Sequence, residues 1–127
     1  MAYVNPLVYD NGLTWLAGQV TALHLTPVEC STYAEVLAKA VAQRTSGLIV
    51  SGPAAGISTG GRKVGQAGFT LPGGMIGSGR AGVWYWVNTA SSRILVGADL
   101  DPPIVCTSGG TLVLESPLEI EIPGVSG

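Results

Sequence analysis

KVGQAGFTL (63–71), AGVWYWVN (81–88), RILVGADL (93–100), PIVCTS (103–108) and TLVLESPLEIEI (111–122) are short runs rich in Val, Ile, Leu and Trp. They are separated by LPGGMIGSGR (71–80), TASS (89–92), DP (101–102) and GG (109–110). Brief β-branched or aromatic runs bounded by turn formers specify strands and hairpins. Half of the chain is therefore plain antiparallel sheet, and no histidine falls within it. In the last run Glu119 and Glu121 share one face and Leu118, Ile120 and Ile122 the other, the alternation of a half-solvated strand. Charge on such a strand also discourages unwanted pairing along its edge. Trp84 and Trp86 share a face, with Tyr85, Val83 and Val87 opposite. Both faces of that strand are apolar, so either it is central and buried on both sides or one face meets a partner chain.

Working outward from this block, the N-terminal half is less regular. Residues 1–11 read as an extended arm, with Tyr3, Val4, Leu7, Val8 and Tyr9 as its apolar contacts and turn formers at Asn5-Pro6 and Asp10-Asn11-Gly12. Asn11-Gly12 between apolar flanks is a tight-turn signal. Leu13–Leu16 and Val20–Leu25 follow as short strands. A helix is expected over about 32–44, because Thr32-Tyr33-Ala34-Glu35 has the form of a capping box. Tyr33, Val36, Leu37, Ala40 and Val41 then make one apolar stripe. Glu35 and Lys39 pair at i, i+4, and Gly47 offers a left-handed stop. Leu48–Val50 is a strand candidate, and Ser51–Gly61 reads as a loop. The expected architecture is α+β, mostly β: an antiparallel sandwich or barrel-like body with one amphipathic helix. Residues 12–127 would form a single β-rich domain behind the arm.

Composition narrows the function. With 127 residues there is room for one core. Charged residues make up only 11%, against roughly 25% in an average soluble domain. Mean hydropathy is +0.42. So few solubilising side chains favour a surface largely covered by other copies or other proteins over a small Gly-rich domain that is simply low in charge. The net charge is −2 and the six basic residues are scattered, which is no footprint for nucleic acid. No run reaches the length of a membrane-spanning helix. The first ten residues lack the basic and apolar regions of a secretory leader, so a chain made and assembled in the cytoplasm is expected.

The chemical motifs are thin. Gly52–Ser58 has the glycines of a phosphate loop at the wrong spacing, with Ile57 where the lysine should stand. Gly60-Gly61-Arg62 and Gly77-Ser78-Gly79-Arg80 are turns carrying a cation, able in principle to hold an anion. His24 is the only imidazole, so any Ser/His or Cys/His device must run through it. A strand-end histidine bonded to its neighbours is the simpler account. Cys30 and Cys106 are too few for a structural zinc site; spacing leaves a disulfide between them open, and two small buried hydrophobes are the simpler reading. Glu115, Glu119 and Glu121 invite a paired-carboxylate reading, which the strand alternation explains without chemistry. No catalytic residue, cofactor or metal is assigned. An enzyme acting through His24 and a carbohydrate-binding module stacking sugars on Trp15, Trp84 and Trp86 remain as competing classes.

Gly61-Arg62-Lys63-Val64, the strand Ala81–Val87, Asn88-Thr89-Ala90-Ser91-Ser92-Arg93-Ile94-Leu95-Val96 and a closing apolar strand together resemble a family of small tailed-phage virion proteins. The Asn-Gly-Leu start and Cys30–Glu35 opening an Ala- and Leu-rich helix are similar to the same group. Trp84 and Trp86 depart from it, since smaller residues are usual there. The resemblance implies a decoration or cement protein on the capsid exterior, with a neck, tail or fibre-associated component as the alternative. Its partners would be the major capsid protein and further copies of itself, most simply a trimer. Tyr3, Val4, Leu7, Val8, Tyr9, Trp84 and Trp86 are the expected interface residues, the arm being ordered on docking.

Overall fold

The computed structural model describes residues 2–4, 6–55 and 62–122. In chain order these form β1 (Ala2–Val4), α1 (Pro6–Gln19), β2 (Ala22–Thr26), α2 (Tyr33–Lys39), β3 (Ala42–Arg44), β4 (Ser51–Ala55) and β5 (Arg62–Gln66). There follow β6 (Phe69–Leu71), β7 (Gly79–Asn88), β8 (Arg93–Cys106), β9 (Leu112–Leu114) and β10 (Leu118–Ile122). The fold is α+β, mostly β, and every strand pair is antiparallel. One sheet has the order β1-β8-β7-β2-β3, a second β10-β5-β4, and a third pairs β6 with β9.

The principal sheet is built on the β7–β8 hairpin. Asn88 shapes its turn: Oδ1 accepts from the Ser91 N–H at 2.9 Å and Nδ2 donates to the Gln19 carbonyl at 2.8 Å. In register, Leu23 lies beside Trp86 and Leu25 beside Trp84, while His24 lies beside Tyr85. One face thus carries Leu23, Leu25, Trp84, Trp86 and Val96. These join Val64, Leu112, Leu114, Leu118 and Ile120 from the other sheets, and Leu13 and Leu16 from α1, in the main core. The opposite face carries Ala22, Val83, Tyr85, Val87 and Ile94, which pack with Cys30 and with Val36 of α2. A sheet covered on both sides explains why β7 has no polar face: it is a central strand, flanked by β8 and β2.

Several elements differ from the sequence reading. The stretch 1–11 is not one arm, because Ala2–Val4 pair with Val96–Ala98 as an edge strand and the chain is helical from Pro6. Proline suits a first helical position, where its missing N–H has no partner to lose. Gly12 does take a left-handed backbone (φ 78°), as the Asn-Gly signal requires, but it kinks α1 instead of closing a hairpin. Leu13–Leu16, expected as a strand, is helical. Leu13, Leu16 and Val20 recur at helical spacing and are all buried. There are accordingly two helices among the described residues, not one.

The expected helix at 32–44 stops at Lys39. Its start is as read, with Thr32 Oγ1 accepting from the Glu35 N–H at 3.2 Å. Ala40 is extended (φ −61°, ψ 129°), and Ala42–Arg44 pair with β2. Completing the sheet beside β2 buries Val41 and Ala42, which outweighs continuing the helical stripe. Ser51–Ala55, expected as loop, is β4, whereas Leu48–Val50 is not a strand. Residues 56–61 lie outside the described residues. The runs 63–71 and 111–122 each split between two sheets, breaking at Ala67-Gly68 and at Glu115–Pro117.

The opposite outcome holds at Asp101-Pro102, where a turn was expected and one strand runs through. Val83 pairs with Asp99 and Ala81 with Ile104, so Leu100–Pro103 stand opposite Gly82 alone. Pro102 and Pro103 have no N–H to give the ladder, which confines them to a bulge or an edge.

Candidate interaction site

The bulge in β8 forms one wall of an open groove of about 510 Å³; the segment from Val113 to Glu119 forms the other. Trp84, Leu100, Leu114 and Leu118 give it an apolar lining. Asp99, Asp101, Glu115 and Glu119 contribute carboxylates, and among the described residues no lysine, arginine or histidine lines it. Glu119 is paired with Lys63 at 2.7 Å. Asp101 and Glu115, both exposed, have no ion pair or hydrogen bond within the described residues. Among the described residues no three His, Cys, Asp or Glu side chains converge to hold a metal ion. The groove is therefore an apolar trough with an acidic lining, suited to a chain segment that brings both a hydrophobic side chain and a cation.

A smaller hollow of about 290 Å³ adjoins Lys63, Gln66 and Glu119. Gln66 is 3% exposed; its Oε1 accepts from Trp86 Nε1 at 3.1 Å, tying the principal sheet to β5, while its Nε2 has no partner among the described residues.

The structure separates the expected interface residues. Trp84 and Trp86 are 3% and 0% exposed, their rings 4.9 Å apart, so both are core residues. Trp84 reaches the groove only as part of its lining. Tyr3 and Val4 belong to β1, and Leu7, Val8 and Tyr9 to α1; their side chains lie outside the described residues. A sugar-stacking platform needs an exposed ring face. Neither Trp84 nor Trp86 has one, and Trp15 is partly buried against the core.

His24 is 3% exposed within β2, out of reach of a substrate. Burial holds its pKa below the usual 6.5, a side-chain hydrogen bond with Gln43 opposing, and its Nδ1 has no partner among the described residues. Cys30 and Cys106 are both free thiols, buried in different clusters. Burial pushes both thiols up, which keeps them protonated and poorly nucleophilic. Gly52 lies in β4, and Gly77–Arg80 leads into β7, with Ser78 Oγ accepting from the Ser108 N–H at 3.2 Å.

Sequence reasoning missed the groove because Asp101-Pro102 was taken for a turn between two strands. The signal was present: two prolines inside one apolar run mark a bulge. Among the described residues no helix is long and apolar enough to cross a membrane. Comparison with protein-family models, with curated proteins and with solved structures finds no match.

Proposed function

We propose that this chain is a structural virion protein of a tailed phage that binds the outer surface of the capsid and stabilises it. The observation that carries the reading is the surface. Ile49 and Val105 are each 74% exposed and Val28, Leu37, Ile76 and Val113 between 40% and 50%, on a chain with only 11% charged residues. Exposed apolar side chains with few charges between them fit a component that works by burying surface against neighbours. The partners are the major capsid protein and further copies of the chain. With Ala2–Val4 already engaged on the chain's own sheet, contact with the shell runs through the body rather than through a free arm.

The test is the stoichiometry of the protein in purified particles, with the stability of particles stripped of it. Abundance comparable to that of the shell subunit, with earlier DNA release on stripping and recovery on re-addition, is the expected result. A small fraction of the shell copy number moves the protein to the neck, tail or fibre. Absence from particles overturns the virion reading altogether.

A further inference from the structure

The acidic groove has a counterpart on the same chain. Val105 is 74% exposed, and its cross-strand neighbour is Arg80. Register partners in an antiparallel pair share a face, so an aliphatic side chain and a guanidinium stand side by side. Arg80 is exposed, and its side chain makes no ion pair or hydrogen bond within the described residues. The preceding residue, Ile104, lines the groove. Because successive side chains alternate, Val105 and Arg80 project from the opposite face of the same two strands. Trough and plug are thus back to back at one end of the principal sheet.

We infer that the groove of one copy receives the Arg80–Val105 pair of a second copy. Val105 enters the lining made by Leu100, Leu114 and Leu118, and Arg80 meets Asp101 and Glu115, the two groove carboxylates without partners. The charges are complementary, and burying Val105 removes one of the two most exposed large hydrophobic side chains. Arg93, the other exposed cation of this hairpin, has no such companion: it follows Ser91-Ser92 in the turn and pairs with Asn88. A contact between two different surfaces is heterologous, so successive copies join head to tail and the assembly closes into a ring or runs on as a filament. This names the surfaces by which copies meet and rests on the proposed function only for the expectation that they do meet.

The test is charge reversal, read as mass in solution by light scattering and sedimentation. Wild type associates. Arg80→Glu, and separately Asp101→Lys with Glu115→Lys, each weaken association by about tenfold or more, since like charges then face each other. Val105→Ser, which changes no charge, also weakens it. The chain carrying all three charge reversals associates again. So does an equimolar mixture of the two reversed variants, because each then supplies the surface the other needs. All these positions are exposed, and near-ultraviolet dichroism of the tryptophans verifies the fold of each variant.

Wild type that stays monomeric overturns the inference, and so do reversed variants of unchanged mass, or a mixture and triple variant that both stay dissociated. A monomer that binds a short Val-Arg peptide instead gives the groove to another protein and also overturns self-association. Retained shell binding by dissociated variants leaves the shell reading standing; associating copies absent from particles defeat that reading alone.

Discussion

Tyr85 fastens the segment that leads into α2 onto the principal sheet. Its ring lies over Gly97 on β8, where any Cβ would collide with it, and its hydroxyl accepts from the Cys30 N–H at 2.6 Å and donates to the Cys30 carbonyl at 3.3 Å. Burial raises its pKa, the Cys30 backbone bond opposing, so the proton needed for the second bond is retained. Tyr85→Phe leaves both backbone groups of Cys30 without that partner and should cost about 1–3 kcal/mol in urea unfolding. Gly97→Ala should cost a similar 1–3 kcal/mol or so by overpacking the ring; an unchanged midpoint would show that the ring does not rest there. His24 gives the pH dependence. Its folded pKa lies below 6.5, so the unfolded chain takes up the proton first. Its contribution is flat above that value, and stability falls as pH drops through 6.5 toward the folded value, by at most about 1.4 kcal/mol per pH unit. His24→Gln should remove that part of the slope when the urea midpoint is followed from pH 7.5 to 5, and a slope identical to wild type would rule it out.

At the scale of elements, α2 depends on its first turn. A seven-residue helix has no stability of its own; the Thr32 cap and burial of Val36 hold it on the sheet. Thr32→Ala should cost about 1 kcal/mol, read as a lower urea midpoint with the tryptophan near-ultraviolet signature intact. The cap was legible in the sequence because a capping box is a local device. The helix end was not, because Val41 and Ala42 continue the apolar stripe but are claimed by a strand partner some twenty residues upstream. The same contrast applies elsewhere. β7, the 89–92 turn and the Glu/Ile alternation of β10 were readable, since alternation and turn chemistry act over a few residues. Gly12 was recognised as a backbone bend, yet whether it kinks a helix or closes a hairpin depends on what Leu13 and Leu16 pack against. The groove was invisible for a related reason: it needs β8 to continue through two prolines and the 113–119 segment to lie across from it.

For the whole molecule, the two-sided burial of β7 makes a spectroscopic forecast. Trp84 and Trp86 are enclosed and Trp15 is half covered, so emission should be blue-shifted and weakly quenched by iodide, and soluble glycans should leave it unchanged. Strong quenching, or a glycan-dependent change, would return the tryptophans to the surface and revive the sugar-binding module. The low charge of the chain acts at the same scale. A particle that repels its copies weakly is poorly protected against aggregation until its apolar residues find their proper neighbours.

That exposure gives the bulge in β8 a second meaning. A fourteen-residue strand would ordinarily offer a long row of free amides and carbonyls to any passing chain, and such rows seed fibres. Here β1 covers Val96–Ala98, and Leu100–Pro103 leave the ladder with two prolines among them. No continuous template remains on that flank. The kink that opens the groove also denies the strand to indiscriminate edge-to-edge pairing.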